Sequence, residues 1–329
     1  MTEKGTQNSV DRLGKLLTGG LIPAVPVPFN LNGELHAAAQ NSYLRYMSSQ
    51  SLAVVAVWAH TGRGLWLDSE TAREVLQEWR SALPEKILIA GVGAKSSDAH
   101  SDGETSSTLR MAEEAARGDA DALLVYPPTW LRNHPSRDQQ IVDHHSRLST
   151  IGLPLVLFYL YEAAGGVSYS ITVLDELLSM PNVLGIKVAT LDSVMTYQDI
   201  ADQLQNKHPD KLLITGEDRF LGYSLRRGAK AALIGLGAVF CELQSELIRA
   251  HIDSNANRFL ELSDLVDTLA EALFVAPMEG YIQRILCALA HLGVIPIEAA
   301  HDPWGPGLTT AEIEKIGRVV NSFAACASY

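Results

Sequence analysis

The chain has 329 residues, of which 47% are apolar and 19% charged, with a formal net charge of −12. That length allows two domains or one large α/β barrel, and the apolar fraction supplies a sizeable core. An acidic balance with no basic stripe argues against a nucleic-acid partner and for an acidic, soluble enzyme acting on small molecules. Cys241, Cys287 and Cys326 are widely spaced and odd in number, which suits a reducing cytoplasm and free buried thiols. Neither a zinc spacing nor a CxxC is present. Residues 1 to 19 lack the apolar core of a signal peptide, and no run of about 18 apolar residues suggests a membrane span. A cytoplasmic location, no membrane partner and no metal are the expectations.

Residues 1 to 19 are expected to be a loose N-terminal segment. Leu21 to Phe29 (LIPAVPVPF) is a strand interrupted by prolines, followed by a turn at Asn32-Gly33 and a helical pattern from Ala37 to Ser49. Leu52 to Trp58 is the second strand, with the turn Ala59-His60-Thr61-Gly62-Arg63-Gly64 and a helix opening at Asp68 or Ser69. Ile87 to Val92 is the third strand, with a polar loop from Lys95 to Thr105 and a helix to about Arg117. Ala120 to Tyr126 is the fourth, stopped by Pro127-Pro128, with a helix from Arg137 to Leu148. Leu153 to Leu160 is the fifth, followed by a helix from Ser170 to Met180. Val183 to Val188 is the sixth, with a helix from Leu191 to Lys207. Leu212 to Thr215 and Ala231 to Leu236 are the seventh and eighth, each with its helix, the last running from Val239 to Asp253. Eight such alternations in roughly 230 residues predict an α/β fold, a (β/α)8 TIM barrel over 20–254. Residues 255–329 form a C-terminal helical extension with patterns at Phe259–Phe274, Met278–Leu292 and Thr310–Ala325.

Lys187 is the residue that stands out. Of nine lysines it alone lies within an apolar strand. Burial disfavours the ammonium, so its pKa falls, and the neutral amine is the form that attacks a carbonyl to make a Schiff base. Period-two alternation puts Val183, Gly185, Lys187 and Ala189 on one face, near the carboxyl ends of the strands where barrel active sites lie. The competing reading is a buried ion pair with Glu217 or Asp218. Lys95, after the third strand, is a weaker rival for the catalytic amine.

Several motifs in order carry a resemblance across roughly residues 20 to 300: VPF in the first strand, HTGRG after the second, AGVGA, GDADALLVYPP, LPLVLFY followed by GG, NVLGIKVAT, and TGED before RRGAKAALIG. In these the chain resembles the dihydrodipicolinate synthase and N-acetylneuraminate lyase superfamily of Schiff-base aldolases. The resemblance implies an imine between Lys187 and pyruvate or another 2-keto acid, with no cofactor. It implies that Thr61 and the backbone around Gly62 hold the substrate carboxylate, that Gly216 and Leu233 line the imine pocket, and that the protein is a homo-oligomer, a tetramer or dimer. An aldehyde would be the second substrate or product. The departures also matter. The synthases' relay threonine falls on His60, its loop tyrosine on Trp130 and its strand-five tyrosine on Phe158. The second-substrate arginine falls on Ala163, and the glutamate after the turn falls on Arg63. These point away from the lysine-pathway reaction.

Some other group must then move protons. His60 is a candidate because an unperturbed imidazole titrates near neutrality; a rim histidine bonded to backbone is the alternative. A one-residue shift in the fifth strand would turn Tyr159 inward instead of Phe158, making Tyr159 catalytic; Tyr161 and Tyr126 are further possibilities. Trp58, Trp66 and Trp130 suggest an aromatic-lined mouth or ordinary packing. Arg63 faces a substrate carboxylate or pairs with a side chain such as Glu70. His144-His145 is read as a surface pair. The leading expectation is a class I aldolase or lyase. A Schiff-base dehydratase or deaminase, and a barrel that binds keto acids without turnover, are the alternatives. A further reading takes Gly235-Leu236-Gly237-Ala238 as a phosphate cradle.

Overall fold

A computed structural model describes residues 3–95 and 103–326. Its parallel strands are β1 Leu21–Pro23, β2 Val54–Val57, β3 Ile87–Val92, β4 Ala122–Val125, β5 Leu155–Leu160, β6 Val183–Ala189, β7 Leu212–Thr215 and β8 Ala231–Ile234. They hydrogen-bond in the order β1-β8-β7-β6-β5-β4-β3-β2. A bridge between Ala24 and Ala56 brings the two ends together, with the Val25 N–H donating to the Ala56 carbonyl at 3.1 Å. The fold is the expected (β/α)8 barrel. Helices α2 Ala37–Ser48, α3 Ser69–Ala82, α4 Glu104–Arg117, α5 Arg137–Ser149, α6 Ile171–Leu178, α7 Val194–Lys207, α8 Leu221–Arg226 and α9 Cys241–Ile252 follow β1 to β8 in turn. Both strand faces are covered, which is why the strands read as continuous apolar runs. Ile22, Val54, Ile89, Leu124, Val156 and Leu233 fill the barrel interior, while Val55, Leu88, Leu123, Leu157 and Leu213 meet the helices.

Several strands are shorter than their apolar runs. β1 stops at Pro23 although the apolar segment continues to Phe29, because Pro26 and Pro28 have no N–H to give a ladder. In β6 the pairing with β5 passes from Leu155–Val183 to Val156–Gly185, leaving Leu184 as an extra residue. This bulge corrects the simple alternation: Val183 lies in the outer layer and Leu184 in the barrel interior. Beyond the bulge the two-residue period resumes, and Ile186 and Val188 face the helices.

From residue 3 onward the N-terminal segment is not loose as expected. Glu3–Leu17 is a helix, α1, and its Val10, Leu13 and Leu17 are buried against Leu184 and Leu212 at the amino ends of the strands. Three apolar residues at near-helical spacing close the bottom of the barrel.

At the other end the chain returns over the barrel mouth after α10 Ala256–Leu273. The buried Arg284, in α11 Tyr281–His291, donates to the carbonyls of Val275 at 2.8 Å and Pro277 at 3.3 Å and pairs with Glu312 of α12 Thr310–Cys326. Arg219 donates to the Phe274 carbonyl at 2.9 Å. The crossing segment is thereby held at both ends. His144 and His145 are buried on the inner side of α5, not exposed as expected, because Thr105 and the Ile141 carbonyl accommodate their Nδ1 atoms at 3.0 and 2.8 Å. Cys241 and Cys287 are free and buried. Residues 96–102 of the expected polar loop, and the side chains of Ala163 and Cys326, lie outside the described residues. Among the described residues no helix is long and apolar enough to cross a membrane.

Candidate active site

Lys187 lies on the interior side of β6, 6% exposed, in register with Phe158 of β5 on one side and Ile214 of β7 on the other. Its Nζ stands 4.2 Å from the centre of the Phe158 ring. Gly216, just past β7, makes room for the side chain: a Cβ there would come within 2.7 Å of Lys187 Cε. Among the described residues no carboxylate lies within ion-pair distance of this amine. Burial pushes its pKa down to about 8, and the more distant charges of Asp218 and Glu217 oppose that shift. The buried-ion-pair reading therefore gives way to a desolvated amine facing a cavity.

The two acidic residues are anchored elsewhere. Glu217 accepts the Thr190 N–H at 2.5 Å, the Thr190 hydroxyl at 2.9 Å and the Leu191 N–H at 3.0 Å. Burial still raises its pKa to about 7. These bonds fix the turn after β6, where Leu191 holds a left-handed φ of 52° and lines the cavity. Asp218 accepts the Leu236 N–H at 2.7 Å, and burial raises its pKa as well. That bond takes an amide from the proposed phosphate cradle. The Ala238 and Val239 N–H groups are also committed, to Gly235 and Leu236 carbonyls, so the cradle reading is overturned.

The turn after β2 supplies His60 and Thr61. Their side chains meet on one phenol: Tyr281 Oη lies 3.0 Å from His60 Nδ1 and 3.1 Å from Thr61 Oγ1. Burial lowers the His60 pKa to about 3, with Arg63 and Lys187 adding to the shift. His60 is thus a neutral imidazole at neutral pH, contrary to the expectation of a group titrating there. Arg63 neither pairs with Glu70 nor lines the cavity. It makes a buried bidentate pair with Asp302, at 2.6 Å for the shortest contact, and reaches Glu279 at 3.4 Å.

Lys187, His60, Thr61, Phe158 and Gly216 are brought together around one cavity, with Tyr161, Asp218, Phe274, Met278 and Tyr281. Four expected site residues are not among its lining. Tyr159 lies on the outer face of β5 against Tyr169, ring centres 6.1 Å apart, because the strand keeps the register that turns Phe158 inward. Trp130 packs on His144 at 5.3 Å. Leu233 is in the barrel interior, and the Gly62 N–H is spent on the Ala59 carbonyl at 2.9 Å. The tryptophan mouth is also corrected: Trp58 is buried and donates to the Ala72 carbonyl, while Trp66 lies against Trp304 and under Lys95 Nζ at 3.8 Å. Tyr126 donates to the Trp58 carbonyl at 2.9 Å.

Sequence reading missed Phe274, Met278 and Tyr281. Each sits in a helical pattern that reads as packing, and Tyr281 is separated from Thr61 by 220 residues. No local signal marks such a contact. Among the described residues no group of three His, Cys, Asp or Glu stands together as a metal site.

Comparison with known proteins agrees with the architecture. The model of the dihydrodipicolinate synthetase family matches residues 17–322. The chain is 23% identical over 278 residues to 4-hydroxy-tetrahydrodipicolinate synthase of Bartonella bacilliformis, covering 83% of this chain and 88% of that protein. It is 23% identical over 294 residues to N-acetylneuraminate lyase of Escherichia coli, covering 87% and 91%. Among solved structures it is similar to dihydrodipicolinate synthase from Oceanobacillus iheyensis, with TM-score 0.80, 17% identity and coverage of 96% and 99%. It is also similar to the sialic acid aldolase of Ruminococcus gnavus, with TM-score 0.80, 18% identity and coverage of 95% and 99%. At these identities the structural likeness shows the fold.

Proposed function

The chain belongs to the dihydrodipicolinate synthetase family, and we propose that it is a Schiff-base-forming lyase of the aldolase type acting on pyruvate or another 2-keto acid. The observation that carries this reading is the Lys187 amine, buried and, among the described residues, free of an ion-paired carboxylate, at the carboxyl end of the barrel. Lowered basicity supplies neutral amine near physiological pH. It attacks the keto carbon, the carbinolamine loses water, and the resulting iminium withdraws electrons from the adjacent carbon, where a C–C bond forms or breaks. Thr61 would hold the substrate carboxylate.

Apart from Lys187, no lysine or arginine lines the cavity among the described residues. A second carboxylate would find no fixed positive partner there, which supports a reaction other than the lysine-pathway step. An uncharged carbonyl compound fits the Phe158, Phe274 and Met278 walls better. A Schiff-base dehydratase or deaminase is the second reading. Asp218 favours it, because this carboxyl lines the cavity and burial raises its pKa to about 7, so that a share of it is protonated at neutral pH and can give a proton to a departing hydroxyl or amine.

Borohydride reduction in the presence of pyruvate, followed by peptide mass mapping, tests the proposal. A reduced pyruvyl adduct on Lys187 is expected. Absence of any Lys187 adduct with pyruvate, 2-oxobutyrate and sugar-derived keto acids would overturn both readings. Once an adduct is found, C–C cleavage products or loss of water or ammonia separate the two.

A further inference from the structure

We propose that Tyr281, delivered by the C-terminal helices, is the catalytic acid and base of this site; the assignment rests on the Schiff-base reading above. Its hydroxyl is held between Thr61 Oγ1 and His60 Nδ1, and its ring stacks on Phe274 with centres 4.8 Å apart and planes at 23°. The segment that presents it is fixed by the buried Arg284. The other phenols are placed differently. Tyr126 donates to a backbone carbonyl, Tyr159 faces the helices, and Phe158 offers no hydroxyl beside Lys187. Tyr161 is the other phenol in the cavity lining, and Tyr281 is the one bonded to two side chains able to pass or stabilise a proton.

The chemistry balances on this one group. In the carbinolamine, Tyr281 gives its proton to the hydroxyl, the C–O bond breaks, water leaves, and the nitrogen lone pair forms the C=N bond. The phenolate left beside the iminium cation accepts hydrogen bonds from Thr61 and from the Nδ1–H tautomer of His60. It then takes a proton from the carbon next to the iminium. The C–H pair becomes the C=C bond, the C=N pair returns to nitrogen, and Tyr281 is a phenol again. The net change is carbinolamine to enamine plus water. Burial keeps the phenol protonated in the free protein, so the acid is in place when substrate arrives.

Pyruvate in D2O tests this, with methyl exchange followed by NMR and the Lys187 adduct measured by borohydride trapping. After incubation to equilibrium Tyr281→Phe should still reach the adduct, only more slowly, because a catalytic acid changes the rate of iminium formation and not its extent; the adduct shows a folded site, while exchange slows by about 100-fold or more. Tyr281→3-fluorotyrosine, which keeps the hydroxyl and lowers its pKa, should change the exchange rate while the equilibrium adduct level stays the same. Exchange within about threefold of wild type in Tyr281→Phe, with adduct present, overturns the assignment and leaves the Schiff-base reading standing. So does an exchange rate unmoved by fluorotyrosine, or loss of exchange in Tyr161→Phe and not in Tyr281→Phe. No adduct in the wild-type protein overturns the Schiff-base reading and this assignment together.

Discussion

Phe158 and Lys187 are register partners on adjacent strands, and the amine of one lies 4.2 Å from the ring centre of the other. The ring face attracts the ammonium, by roughly 0.5 to 2 kcal/mol for such contacts, and so opposes the burial that pushes the Lys187 pKa down to about 8. Removing the ring should lower the pKa further. Adduct formation requires neutral amine, so its rate in wild type is expected to rise with pH and level off above about 8. In Phe158→Leu the midpoint should move to lower pH by about 0.4 to 1.5 units. A midpoint that moves upward would show that the ring does not favour the charged form.

Arg63 and Asp302 tie the turn bearing His60 and Thr61 to the C-terminal extension. Their side chains are 4% and 1% exposed. Removing one partner leaves the other charge buried, which costs about 3–5 kcal/mol in comparable cases. Arg63→Ala should therefore shift the urea midpoint strongly downward. A loss below about 1 kcal/mol would mean that water reaches the abandoned Asp302 carboxylate.

Acid should weaken the protein through α5. Burial lowers the His145 pKa to about 4 from an ordinary value of 6.5. Below the unfolded value the unfolded chain binds a proton that the folded protein refuses. Stability is therefore intact above about 6.5 and lost as pH falls toward 4, by up to about 3 kcal/mol. His145→Gln removes this titration and should flatten the pH dependence of the urea midpoint in that window. An unchanged slope would place the acid sensitivity elsewhere.

Leu17 is fully buried where α1 closes the barrel bottom. Leu17→Ala should cost about 2–5 kcal/mol in urea unfolding. Because this contact lies at the end opposite the cavity, the pH midpoint of Lys187 adduct formation should stay at its wild-type value. A moved midpoint would reveal coupling between the two ends of the barrel.

Alternating apolar runs and helical patterns were enough to determine the barrel, because each strand must be covered on both faces and that requirement is written in local composition. The same logic singled out Lys187, the one lysine inside such a run. Three features depended on contacts that no local pattern encodes. The bulge at Leu184 set which β6 residues enter the barrel, since one unpaired residue exchanges the faces. The inward turn of Phe158 placed Tyr159 among the helices. The return of the C-terminal chain over the mouth brought Tyr281 to Thr61 and His60 across 220 residues and determined the state of that histidine, because burial is a property of the assembled site. The sequence by itself singled out the lysine and determined its scaffold; only tertiary packing decided which proton-bearing groups surround it.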